Sequence, residues 1–154
     1  MVKDILTIAS ALLSYYSKVF SEHDDMTEMK MHKLLYFAQK QHYKNFGEWL
    51  FNDDFEGWVH GPVNKKVRNS YFYLPDLDNV ELTLEEEFTI REVIYDYGKY
   101  SAGALRNLSH KDIAYSISRD GLDEYEPGSE IIKKENMILD IHTHDEDSEF
   151  ECEV

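Results

Sequence analysis

The chain has 154 residues, 31 of them acidic against 16 Lys and Arg, for a formal net charge of −15, and 14% of it is aromatic. That length fits one domain able to bury most of its apolar surface, while the acid excess repels phosphate backbones and anionic lipid, so neither nucleic acid nor a membrane is an expected partner. No run reaches the ~18 apolar residues of a membrane span, Met1-Val2-Lys3-Asp4 leads into an amphipathic helix rather than a signal peptide, and a lone Cys152 allows neither an internal disulfide nor a cysteine zinc cluster, all of which suits the cytoplasm.

In chain order, residues 4–20 place Ile5, Ile8, Ala9, Leu12, Tyr16, Val19 and Phe20 on one face at helical spacing. The polar segment Ser21 to Met26 joins this helix to the next, over 28–46, which Thr27 starts as N-cap and Gly47 ends in a left-handed conformation. Met31, Leu34, Leu35, Ala38 and His42 line one of its faces; Met29, Tyr36 and Tyr43, with Phe37 beside them, cover much of the other. A helix apolar on both sides must be surrounded, so this is the central post of the domain. Trp49-Leu50-Phe51 and Phe55 to Val59, separated by Asn52-Asp53-Asp54, read as a small hairpin, and Gly61-Pro62 as the start of a helix bearing Lys65, Lys66 and Arg68. Those three cations can meet an acidic partner or the protein's own acids. Phe72 to Asn79, with Pro75, Asp76, Asp78 and Asn79, is a loop. Thr83 and Glu86 form a capping box for a helix over 84–97 that buries Phe88, Val93, Ile94 and Tyr97 before Gly98. Short helices follow over 101–108, 111–119 and from 129 to about 138, the last docked by Ile131, Ile132, Met137 and Ile138. The fold expected is mainly α: a compact multi-helix domain around a central buried helix, with one small β-hairpin. It occupies residues 1–139, and 140–154 form an acidic, disordered tail holding seven acids and neither Lys nor Arg.

The run Lys30-Met31-His32-Lys33-Leu34-Leu35-Tyr36-Phe37-Ala38-Gln39, then Gly47, Leu50-Phe51, Asp54-Phe55-Glu56, Trp58 and Gly61-Pro62-Val63, resembles the Panacea domain, the SocA-like family that also takes in phage-associated proteins called GepA. Leu108-Ser109-His110-Lys111-Asp112 is similar to the family's Leu-Thr-His-x-Glu element, although Ile113-Ala114 stands where the family often has Pro-Trp, a departure that bears on local packing after His110. The resemblance covers roughly residues 5–139. It implies a prophage- or mobile-element-associated antitoxin that binds and neutralises a cognate toxin encoded next door. Partner contacts are then expected in the signature region, at Lys33, Tyr36, Trp58, His60, Gly61 and Pro62, with His110 as a neighbour. Lys33 is read as exposed, so that Lys33→Glu would weaken an interface while leaving the fold intact.

Catalytic chemistry has little support in the residues. No Gly-x-Ser-x-Gly elbow, His-Glu-x-x-His motif or phosphate-binding glycine loop is present, so no enzyme activity, cofactor or metal is expected. Cys152 sits among acids that raise a thiol pKa, and His142 and His144, with Asp140 and Asp145, lack the supporting groups that fix a functional metal site. The alternatives are a small enzyme with a cleft built from His60, His110 and acids such as Asp54 or Asp112, or a phage accessory protein that binds a host factor. The favoured role of both imidazoles is to hold a helix end or a loop carbonyl and so fix the fold, and Trp58 and Tyr36 can serve the core or an interface.

Overall fold

The computed structural model describes residues 2–20, 26–76 and 81–152, and within these the side chains of all but 75–76 and 144–152. Most of the joint expected at Ser21–Met26, residues 77–79 of the expected loop, and the side chains of His144, Asp145 and Cys152 therefore lie outside the described residues. Seven α-helices appear among those described: α1 (Ile5–Val19), α2 (Glu28–Phe46), α3 (Lys65–Ser70), α4 (Leu84–Tyr97), α5 (Ala102–Ser109), α6 (Ile113–Ser118) and α7 (Lys134–Cys152). Three short strands, β1 (Phe55–Trp58), β2 (Gly61–Val63) and β3 (Ile131–Ile132), form an antiparallel sheet in the order β2-β1-β3, and a 3-10 turn covers Tyr71–Asp76. The domain is mainly α with a small hairpin, as its periodicity predicts.

The post is α2. Thr27 accepts from the Lys30 amide at 3.1 Å, and Gly47 closes the helix at φ 71°, where a side chain would strain the backbone. Helices α1, α3, α4, α5 and α7 and strand β2 all pack on α2, and every residue from Lys30 to Lys40 is buried. That run includes Lys30, His32, Lys33, Gln39 and Lys40, so its enclosure involves partnering for Lys30, His32, Gln39 and Lys40 as well as apolar periodicity. The capping box is also present: Thr83 Oγ1 accepts from the Glu86 amide at 3.2 Å and Glu86 accepts from the Thr83 amide at 2.8 Å.

The hairpin is displaced by one segment from its expected position. Trp49-Leu50-Phe51 is not a strand, because the Gln39 amide occupies its backbone: Gln39 Oε1 accepts from Leu50 N at 2.8 Å and Phe51 N at 3.2 Å, and Gln39 Nε2 donates to Phe51 O at 2.8 Å. The β1–β2 pair instead turns at Val59-His60, with Trp58 opposite Gly61 and Gly57 opposite Pro62. Proline is tolerated there at the sheet edge, and the helix expected from Gly61-Pro62 begins only at Lys65. Asn64 starts α3: its side chain accepts from Val67 N at 3.0 Å and donates to Asp54 O at 2.8 Å.

Other boundaries are corrected by packing. Val19 is 62% exposed and Phe88 51% exposed, and Ile90 takes the buried place on α4. Ile131-Ile132 is a strand rather than part of the last helix; Ile131 faces out and Ile132 is buried opposite Phe55. That helix, α7, starts at Lys134 and continues past the end expected near 138, and the first residues assigned to the tail, Asp140 and Ile141, are buried. Asp140 is held by α6, accepting from Ile113 N at 2.7 Å and Ala114 N at 2.8 Å. It takes over the capping role that Asp112 occupies by position, because the Asp112 carboxylate is turned to Lys40.

Candidate binding cleft

A cleft of about 440 Å³ opens between the start of α2, the β1–β2 hairpin and the loop before β3. Met29, Val59, Val63, Trp58 and Pro127 supply apolar walls, and Glu28, His32, Lys33, His60 and Arg68 the polar lining. Three of the residues singled out by sequence thus meet here: Lys33, Trp58 and His60. Trp58 is half-buried, its indole N–H donating to Glu56 Oε1 at 3.0 Å, and the Arg68 guanidinium lies over its ring at 5.0 Å from the centroid.

Gly61 and Pro62 position the floor. Gly61 has φ 113°, and an added Cβ would approach Lys33 Cε to 2.7 Å and Ser109 Oγ to 3.1 Å, so the hairpin closes onto α2 and α5 only with glycine at this position. Pro62 presents its carbonyl oxygen to Lys33 Nζ at 3.4 Å. The expectation that Lys33 is exposed is overturned: it is 1% exposed, since α2 carries it beneath the hairpin. Lys33→Glu would bury an anion, so it cannot separate folding from binding. Tyr36 lies in the core, edge-on to Phe55 at 5.4 Å between ring centroids, and is no part of the cleft wall. Its hydroxyl is driven well above the usual phenol range by burial, then by the negative charge of Asp112 and Asp140.

His110 is half-buried and stacks on Tyr115 at 4.6 Å, while the Tyr115 hydroxyl donates to Trp58 O at 2.5 Å, so its contribution is to support the hairpin from behind. His60 and His110 have no carboxylate hydrogen-bonded to them among the described residues; Asp54 pairs with Lys134 at 2.5 Å, and Asp112 with Lys40 in a separate polar cleft. His60 lines the cleft and His110 does not, so among the described residues the two imidazoles and an acid do not share it. Among the described residues no three His, Cys, Asp or Glu side chains are grouped to hold a metal ion, and no helix is long and apolar enough to cross a membrane.

The structure adds participants that the sequence did not mark out. His32 is buried beside Lys33, its Nδ1 accepting from Asn64 N at 3.2 Å and its Nε2 contacting Glu28 Oε2 at 3.1 Å, which fixes the neutral tautomer with the proton on Nε2. Glu28 also takes Arg68 at 3.2 Å. The i,i+4 spacing of Glu28 and His32 was the available signal. Arg119 ties the cleft's far wall to β1, donating to Gly57 O at 3.2 Å and Glu126 O at 2.6 Å just before Pro127. The cations after the hairpin have internal partners: Lys65 meets Glu56 at 3.7 Å, Lys66 meets Asp4 and Asp53, and Arg68 meets Glu28.

Positive charge accumulates around Lys33. Burial, then the neighbouring Arg106, lowers Lys33 to about 8, while Glu28 pulls the other way. Burial followed by Arg106, Lys33 and Arg119 lowers His110 to about 4, and burial followed by Lys33 lowers His32 to about 4. For both imidazoles the folded pKa lies below the unfolded value of about 6.5, so the unfolded chain binds more protons between these values. Stability is fully present above about pH 6.5 and falls as pH drops through 4. Thermal melts are expected to fall steeply over this window, His32 alone accounting for up to about 3 kcal/mol; NMR titration should place two imidazoles near 4, and ordinary midpoints for both would refute the assignment.

The family model described as Antitoxin SocA-like, Panacea domain matches residues 31–114, from the second turn of α2 through the hairpin to the start of α6. The chain belongs to this family. The matched span carries most of the cleft, including Lys33, Trp58, His60 and Arg68, and it places the protein among antitoxin-like proteins. No curated protein and no solved structure matches the chain.

Proposed function

We propose that this Panacea-domain protein is an antitoxin that neutralises a toxin encoded by an adjacent gene, in a prophage or other mobile element, through direct stoichiometric contact in the cytoplasm. The observation that carries this reading is the family match over residues 31–114. The cleft supports it: signature residues meet there in an apolar-walled groove with a few polar groups, which is the make-up of a binding site. The residues of the enzymatic alternative are dispersed, which favours binding without a chemical step. The charge of −15 steers a basic partner toward the protein and speeds the encounter.

Co-expression tests this directly. The neighbouring gene product alone is expected to arrest growth, this protein alone to be harmless, and both together to restore growth and co-purify as a complex. A harmless neighbour and no complex would overturn the cognate-pair reading.

A further inference from the structure

The three buried lysines of α2 are satisfied very differently. Lys30 Nζ donates to Tyr16 Oη at 2.8 Å and Gly98 O at 2.7 Å, with the Tyr16 ring 4.9 Å away. Lys40 is paired with the Asp112 carboxylate. Lys33, equally buried, has among the described residues one contact at the outer limit of hydrogen bonding, Pro62 O at 3.4 Å, for an ammonium with three donors. Among the described residues no carboxylate lies within 4.0 Å of it. The acid that shares the cleft, Glu28, is committed to His32 and Arg68, and the groups acting on Lys33 and His110 are mainly cations: Arg106, whose Nε has no hydrogen-bond partner among the described residues, and Arg119, whose donors go to backbone carbonyls. Among the described residues, desolvated positive charge gathers at a cleft wall without a matching anion.

We propose that this cleft receives a carboxylate side chain of a partner polypeptide, with the Lys33 ammonium as its counter-charge and Trp58, Met29 and Val63 packing the apolar residues that flank it. The identity of that polypeptide as the cognate toxin rests on the antitoxin reading above. A protein carboxylate fits better than a phosphate, since phosphate sites use several converging cationic donors, whereas of the two cationic side chains lining this cleft Arg68 is already held by Glu28 and Lys33 offers one point charge. Nucleic acid is opposed by the overall charge. The acidic surface thus attracts a basic partner at long range, and one local inversion of sign fixes the register in which it docks. With its pKa lowered to about 8, Lys33 is charged at neutral pH and gains most from an added anion, so binding should fade as it deprotonates.

The test uses the full chain with 3-phenylpropionate, and 3-phenylpropionamide as its neutral twin, followed by two-dimensional NMR to tens of millimolar. The acid should give saturable shifts at Met29, Lys33, Val63 and the Trp58 indole and bind roughly tenfold or more tightly than the amide. Lys33→Met should abolish the difference. On the unmodified chain, going from pH 7 to about 9.5 should weaken the acid by roughly tenfold or more and leave the amide unchanged. Equal affinity for acid and amide, no binding of the acid, a preference that survives Lys33→Met, or tighter binding of inorganic phosphate at Lys33 would each overturn the proposal. A second arm measures the adjacent gene product, expected to bind Lys33→Met at least about tenfold more weakly. If it binds both proteins equally, the carboxylate site falls and the antitoxin reading stands; if it binds neither while 3-phenylpropionate shows the expected pattern, the reverse holds.

Discussion

Replacing Asp112 with Ala is expected to lower the unfolding free energy by about 3–5 kcal/mol, because it strands a buried ammonium. Lys40 and Asp112 are both more than nine-tenths buried, and the Lys40 Nζ lies 5.5 Å from the Tyr36 ring centroid and 5.9 Å from that of Phe37. Those ring faces help to hold a cation but cannot replace the carboxylate in a low-dielectric surround. The loss does not come through helix capping: Asp112 makes no side-chain cap bond to α6, and Asp140 supplies those bonds in its place. The pair-specific origin of the effect has a clean check. The double substitution Lys40→Met with Asp112→Leu should regain most of the stability, since a well-packed apolar pair of similar volume often matches a buried ion pair. Urea unfolding of the single and double variants measures both; a loss below about 1 kcal/mol for Asp112→Ala would mean that water already screens the pair.

What the sequence conveyed and what it hid follow from the range of the interactions. Local signals were legible: Thr27 and Gly47 bracket α2, and Thr83 with Glu86 forms the capping box, because each needs only residues three or four positions apart. The central role of α2 was legible too, from stripes on both faces. The hairpin was misplaced because the deciding group, the Gln39 amide, reaches Leu50 and Phe51 from eleven and twelve positions away and removes that run from strand pairing. β3 has only two residues and is defined by its pairing with β1, so it carries no periodicity of its own. For the site, Lys33, Trp58 and His60 do converge, while Tyr36 faces the core and His110 backs the hairpin. The burial of Lys30, Lys33 and Lys40 could not be read locally. Their surroundings come from Gly98, Pro62 and Asp112, which are 68, 29 and 72 positions away, and a lysine in a helical repeat looks like a solvated residue until those partners are in place.

Lys33→Met is expected to make the protein more stable while impairing partner binding, a combination that a purely structural lysine would not give. The folded chain holds this ammonium at a pKa of about 8 against 10.5 when unexposed to such burial, a difference worth about 3 kcal/mol. The unfolded chain therefore keeps a proton over the interval from about 8 to 10.5 that the folded chain has given up, and stability due to this group rises with pH across it. Below pH 8 both states are protonated and the folded state bears the whole desolvation cost. Methionine, unbranched and of similar length, fills the space beneath Gly61 without the charge. At pH 7 the variant should exceed the wild type by about 3 kcal/mol, and the gap should close toward zero above about pH 10.5. Tyr36, Tyr97 and Tyr115, all with raised pKa values, also titrate at high pH, but they are common to both proteins and cancel in the difference. Paired urea titrations from pH 7 to 10.5 measure the gap. A destabilised variant, or a gap independent of pH, would show that Lys33 serves the fold; a stabilised variant that fails to bind would mark it as a residue retained at the expense of stability because the bound partner supplies its missing anion.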